Sequence, residues 1–176
     1  MINFRDLRED EIEVRVQSVK QNGLVLLLYK NARCDMNILD ETVGAENWQR
    51  EHYECKGNLF CKVGILVADG DTISRWVWKS DCGVESNTEA QKGEASDSFK
   101  RACFNWGLGR ELYTSPFIWI PADKCNITEG RNGTKQCYDK FVVEKIKIEN
   151  KKITGLAIIN TTTNKRCYVW QEESKG

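Results

Sequence analysis

Apolar and polar positions alternate over residues 12–19, IEVRVQSV, the period-two signature of a strand. Asn22-Gly23 follows as a hairpin signal, and LVLLLY over 24–29 supplies the partner strand. The period then changes. Ala32, Met36, Leu39 and Val43 recur at i, i+4, i+7 and i+11, one face of a helix, and Gly44 stands where that helix would stop. Strand character returns in YECKGNLFCKVGILV, residues 53–67, whose second half would turn Cys61, Val63, Ile65 and Val67 to one side. A turn at Ala68-Asp69-Gly70-Asp71 leads to the return strand ISRWVWKS, residues 73–80. That strand puts Trp76 and Trp78 on one face and Arg75, Val77 and Lys79 on the other.

The longest helical pattern follows. Ala95, Phe99, Ala102, Cys103 and Trp106 form a stripe at i, i+4, i+7, i+8 and i+11. Ser86 or Thr88 would cap it, with Ser86 to Glu89 fitting a capping box, and Gly107 and Gly109 would end it. Lys92, Ser96 and Lys100 share a different face, with Arg101 beside it. Residues 121–138 are polar and read as a loop. Strands at 141–149, 153–160 and 166–170, separated by NKK and TTTNK turns, complete a second meander. The expected class is α+β: an antiparallel β-meander packed by one long helix and one shorter helix, with C-terminal β-hairpins.

Composition narrows the function. The chain has 176 residues, 40% apolar and 30% charged, which suits one soluble domain spanning residues 1–176. Lys and Arg total 26 and so do Asp and Glu, so bulk positive charge cannot drive binding to a polyanion. A nucleic-acid site would have to be a local patch. The N-terminal stretch is charged throughout, without the apolar core of a signal peptide, and no apolar run is long enough for a membrane span. The expected location is the cytoplasm, that of a bacterial host if the chain is phage-encoded. Eight cysteines without a C-x-x-C pair, and a single histidine, His52, argue against zinc and point to reduced cysteines used as small apolar groups.

Enzyme signatures are missing. There is no phosphate-cradling G-x-x-x-x-G-K-[ST], no G-x-S-x-G elbow, and Gly107-Leu108-Gly109 follows a helix where a dinucleotide fingerprint would precede one. The expected set is no catalytic residue, no metal and no cofactor. Asp69, Asp71 and Asp81 leave a metal-dependent nuclease as the least favoured alternative. Cations are more suggestive: Lys92, Lys100, Arg101 and Arg110 fall close together in sequence, with Arg33 in the earlier helix. Taken alone, such a pattern is more often a solvated face. Trp48, Trp76, Trp78 and Trp106 could stack bases. Trp106 lies on the apolar stripe and reads as core, and Trp76 and Trp78 read as core or interface.

Two blocks carry a resemblance. YKNARCDMNILDETVGAENWQ, residues 29–49, contains an Arg-bearing helix, then Leu39-Asp40, then Gly44 and Trp48. EAQKGEASDSFKRACFNWGLGRELY, residues 89–113, contains Lys92-Gly93, Ser96-Asp97, Phe99-Lys100-Arg101-Ala102, Trp106-Gly107, Gly109-Arg110 and Leu112-Tyr113. Together they resemble the Rad-fifty-two-type single-strand annealing family, in the branch of phage Sak proteins and the bacterial DNA damage response protein DdrA. The likeness covers about residues 10–120, with a looser match in the C-terminal hairpins at about 138–171.

The resemblance implies a ring-forming protomer rather than an enzyme. It implies ATP-independent binding of single-stranded DNA and annealing of complementary strands in recombination and repair. Lys100 and Arg101 would contact phosphate, and Arg33 would take the basic role of the first helix. Lys92 and Arg110 complete the expected DNA-binding set. The implied partners are single-stranded DNA, further copies of the chain in a ring or partial ring, and a single-strand binding protein or exonuclease. The meander-turn lysine that serves a second, outer DNA site in distant members is replaced here by Ala68-Asp69-Gly70. The alternative is a module on the same scaffold that protects DNA ends or binds RNA without annealing.

Overall fold

Asn22-Gly23 does mark a hairpin, displaced by one residue. In the computed structural model, which describes residues 2–69, 73–84 and 90–173, strand β1 (Glu13–Lys20) pairs with β2 (Gly23–Tyr29) from Lys20↔Gly23 outward. The turn is therefore Gln21-Asn22. Gly23 already belongs to the strand, where any Cβ would lie 2.4 Å from the Ile120 carbonyl oxygen and 2.5 Å from the Trp119 ring. Helix α1 (Ala32–Val43) follows, with Asn31 accepting from the Cys34 N–H at its start. Gly44 ends it, its N–H bonded to the Asp40 carbonyl. Next come β3 (Trp48–Cys55), β4 (Asn58–Asp69), β5 (Ile73–Cys82) and helix α2 (Ala90–Trp106). The chain finishes with β6 (Ile118–Pro121), β7 (Ile127–Glu129), β8 (Lys135–Cys137), β9 (Phe141–Glu149), β10 (Lys152–Asn160) and β11 (Lys165–Gln171).

These elements form the expected α+β fold, divided into two units. One joins the residues up to Arg5 to Asn31–Gly109; the other joins Asp6–Lys30 to the chain from Arg110 onward. The first is the helical unit: an antiparallel sheet in the order β3-β4-β5 with α1 and α2. The second is the sheet unit, six antiparallel strands in the order β11-β10-β9-β1-β2-β6 with a small β7–β8 ribbon. Within that sheet β1 and β9 are joined at one residue pair, Glu13↔Val142.

Three details depart from expectation. The stretch 53–67 is two strands rather than one: β3 and β4 turn at Lys56-Gly57, both at positive φ, and β3 begins back at Trp48. The buried side of α1 is Cys34, Asp35, Ile38 and Leu39, a stripe rotated from the expected one and sharing with it only Leu39. Residues 121–138 are not a plain loop, because β7 and β8 pair within them, Ile127↔Cys137. The expected caps at Ser86 and Thr88 and the turn at 70–71 lie outside the described residues.

The core of the helical unit is Ile38 and Leu39 from α1, Cys61, Val63 and Ile65 from β4, and Phe99, Ala102 and Cys103 from α2, each essentially inaccessible. Cys61 and Cys103 act there as small apolar groups, and burial pushes the Cys61 thiol up to about 11. In the sheet unit Leu24, Leu26, Ile118, Ile120, Ile153 and Ile158 are buried.

Candidate nucleic-acid interface

Helix α2 presents Lys100 and Arg101, so what fixes α2 fixes the site. Its inward face is Ser98, Phe99, Ala102 and Cys103, with Ala95 and Trp106 half-buried at the ends of the stripe. Helical geometry turns Lys100 and Arg101 away from Phe99 and Ala102. Both remain partly accessible, and the Arg101 side chain is 41% exposed.

Side-chain hydrogen bonds set the helix in register on the sheet along its length. Near the N-terminal end, Glu94 accepts from the Leu59 N–H (3.1 Å) and the Ala95 carbonyl lies 3.0 Å from His52 Nε2. In the middle, Asp97 Oδ2 accepts from the Val84 N–H (3.0 Å) and from Arg101 Nε (2.8 Å). At the C-terminal end, Asn105 Nδ2 donates to the Ser80 carbonyl (2.9 Å) and Trp106 Nε1 to the Val63 carbonyl (2.9 Å). Lys79 donates to the Asn105 carbonyl (2.9 Å) and sits 4.8 Å above the Trp106 ring, a cation placed to suit the helix C-terminus.

The helix stops as the glycines suggest. The Leu108 N–H reaches the Cys103 carbonyl and the Gly107 N–H the Phe104 carbonyl, a Schellman pair. Gly107 takes φ +95° to allow it.

Asp40 and Trp48 of the first block make structural contacts in this setting. Trp48 donates from Nε1 to Asp40 Oδ1 (2.6 Å) and stacks on Phe99 with centroids 6.1 Å apart. Asp40 thus joins the end of α1 to the start of β3, and Trp48 carries the contact on to α2. Arg50 lies over the other partner of that stack, 4.7 Å from the Phe99 centroid. Sequence reasoning passes over Arg50, because an edge strand of mostly exposed residues gives no alternation of apolar positions to reveal it.

The expected site residues are distributed as follows. Lys100 and Arg101 are neighbours on α2. Arg33 is exposed in the first turn of α1, in the same unit. Lys92 lies on α2, with its side chain outside the described residues. Arg110 is exposed and belongs to the sheet unit. It opens a short 3-10 turn, Arg110–Thr114, anchored by fully buried Glu111, which accepts from the Leu7 N–H (2.7 Å), and by Thr114, which accepts from the Ile153 N–H (2.8 Å).

The tryptophans divide. Trp106 is half-buried and bonded, close to the expected core role. Trp76 and Trp78 are 39% and 38% exposed. The register Val63↔Lys79 and Ile65↔Val77 places Arg75, Val77 and Lys79 on the helix side, which leaves both indoles on the opposite face. Their centroids are 6.1 Å apart, and Lys62 Nζ lies 4.9 Å from the Trp78 centroid.

Among the described residues no group of three or more His, Cys, Asp or Glu could hold a metal ion, and no helix is long and apolar enough to cross a membrane. Of the three aspartates weighed for a nuclease, Asp81 accepts from the Cys82 N–H (2.8 Å) and from Asn105 (3.3 Å). The side chains of Asp69 and Asp71 lie outside the described residues.

No curated protein and no solved structure matches the chain. The model of the Rad52/22 family of double-strand break repair proteins matches residues 4–128, a span that holds both helices, the three-stranded sheet and the Lys100–Arg101 pair. The chain belongs to the Rad52/22 family of double-strand break repair proteins.

Proposed function

We propose that the protein binds single-stranded DNA through α2 and anneals complementary strands without ATP. The observation that carries this reading is the Lys100–Arg101 pair, held outward on a helix whose register is set by six side-chain hydrogen bonds to the sheet and its flanks. Two adjacent cations on a rigid support suit phosphate, which carries no sequence information, and an annealer must accept any sequence. Arg33 on α1, Lys92 and Arg110 belong to the same proposed set. The protein acts as a binder rather than an enzyme, in the cytoplasm, as a homo-oligomer in ring or partial-ring form.

A chain with equal numbers of acidic and basic residues can work this way when one patch is repeated along a strand. Each phosphate neutralised releases condensed counterions, and the gains accumulate over the protomers. A single-strand binding protein or an exonuclease that supplies the strands are the partners this activity calls for.

The test is annealing of two complementary fluorescent oligonucleotides without ATP, with Lys100→Ala/Arg101→Ala alongside. Fast annealing by the parent, abolished in the double variant, is the expected result. Tight binding without annealing would move the function to protection of DNA ends. Parental annealing by the double variant would remove α2 from the interface.

A further inference from the structure

Asp97 stands beside the proposed phosphate-binding arginine and does two things with one atom. Its Oδ2 accepts from Arg101 Nε at 2.8 Å, one helical turn away, and from the Val84 N–H at 3.0 Å, just beyond the end of β5. Its side chain is 30% exposed, so this is a partly shielded pair rather than a solvated one. The bond to Arg101 is made at Nε. The Nη1–Nη2 edge of a guanidinium is the one that can form two parallel bonds to a phosphate.

We infer that Asp97 is a positioning residue for DNA binding, holding the Arg101 guanidinium by Nε so that its Nη edge meets a phosphate, and tying that geometry to the backbone at Val84. The inference rests on the reading of Arg101 as a phosphate-binding residue.

Its sign runs against bulk electrostatics. Removing a carboxylate next to a DNA site raises local positive charge, and on charge alone binding should tighten. Positioning requires the reverse: an arginine released from Nε no longer has a preset direction and must order its long side chain on binding.

The experiment measures affinity of the full chain for labelled oligothymidylate over a series of salt concentrations, for the parent, Asp97→Ala, Asp97→Asn, Arg101→Ala and Asp97→Ala/Arg101→Ala. Arg101→Ala should weaken binding and lower the salt slope by roughly 0.7 for each phosphate no longer neutralised. Asp97→Ala should weaken binding roughly five- to tenfold, the size of one charge-assisted hydrogen bond, with the same drop in slope. In the Arg101→Ala background it should add nothing. Asp97→Asn keeps an oxygen that can take both bonds, so it should stay within about twofold of the parent.

Tighter binding by Asp97→Ala, or further weakening when it is added to Arg101→Ala, would overturn the inference while leaving Arg101 in the site. Parental affinity and slope in Arg101→Ala would overturn the phosphate reading itself, and the positioning role with it. Where Asp97→Ala fails to fold, as thermal unfolding would reveal, Asp97→Asn decides alone. Tighter binding there would mean that Asp97 acts as a charge brake.

Discussion

Asp139 shows what one side chain contributes in the sheet unit. Its carboxylate accepts from the Asn126 N–H (2.8 Å), from Asn126 Nδ2 (2.9 Å) and from Asn160 Nδ2 (2.7 Å). Asn160 is fully buried, and its own Oδ1 accepts from the Thr162 N–H, so the network joins the segment before β7 to the end of β10. Burial by itself would raise the Asp139 carboxyl, but the hydrogen bonds from Asn126 and Asn160 outweigh it and hold the group below its ordinary value of 3.8. A carboxyl that is harder to protonate folded than unfolded stabilises the fold above the unfolded value, and that contribution disappears as pH falls through the folded one. Denaturant unfolding at a series of pH values should therefore show a steeper fall in stability below about pH 4 in the parent than in Asp139→Asn, where the group cannot titrate. At neutral pH, Asp139→Ala should cost about 2 kcal/mol, because it leaves the buried Asn160 amide short of a partner. Parallel acid limbs would show that other carboxylates set the acid stability.

At the scale of elements, α2 depends on its stop as much as on its stripe. Gly107 at φ +95° lets the Leu108 and Gly107 N–H groups reach back to the carbonyls of Cys103 and Phe104. Gly107→Ala should destabilise by about 1 kcal/mol, since a Cβ in the left-handed region is penalised. Thermal unfolding measures this, and an unchanged midpoint would mean the turn relaxes at no cost. The helix itself is legible in the sequence, because a stripe from Ala95 to Trp106 followed by two glycines has few other readings. The hairpins of β1–β2 and β9–β10–β11 are legible from short strand-like runs broken by turn residues. Other elements are hidden by their composition. β3 is an edge strand whose residues are mostly exposed, so Trp48, Arg50 and His52 make their contacts to α1 and α2 without an apolar pattern. On α1, Asp35 sits fully buried between Cys34 and Ile38, and a search for apolar residues alone rotates the stripe. In β5 the alternation is correct, but apolar residues occur on both faces. Only the register with β4 shows that Lys79 lies toward the helix, its ammonium over the Trp106 ring and bonded to the Asn105 carbonyl. Lys100 and Arg101 can be singled out by motif, whereas the pair of hydrogen bonds accepted by Asp97 depends on Val84, thirteen residues away, and has no signature in sequence.

For the whole molecule the controlling quantity is charge. With 26 basic and 26 acidic side chains, one protomer has no net field to attract DNA, and a local patch of a few cations neutralises only a few phosphates. If the proposed function holds, affinity must come from copies of the patch placed in series, and the signature is dependence on strand length. Log affinity should fall with log salt more steeply as the oligonucleotide lengthens, because each further protomer engaged adds its own released counterions. Lys100→Ala/Arg101→Ala should lower that slope by about 1.4 for every protomer engaged, two phosphates at roughly 0.7 each on a single strand. The oligomer's mass should not change, since the two cations face outward from α2 rather than into its core. Titrating oligothymidylates of increasing length at several salt concentrations, with native mass spectrometry of the same samples, separates the possibilities. A slope that does not grow with length, from a protein of monomeric mass, would mean one patch acting alone, too weak to hold a strand for annealing. A slope that grows with length in the parent and flattens in the double variant, at constant oligomer mass, would trace the binding to the repeated face of α2.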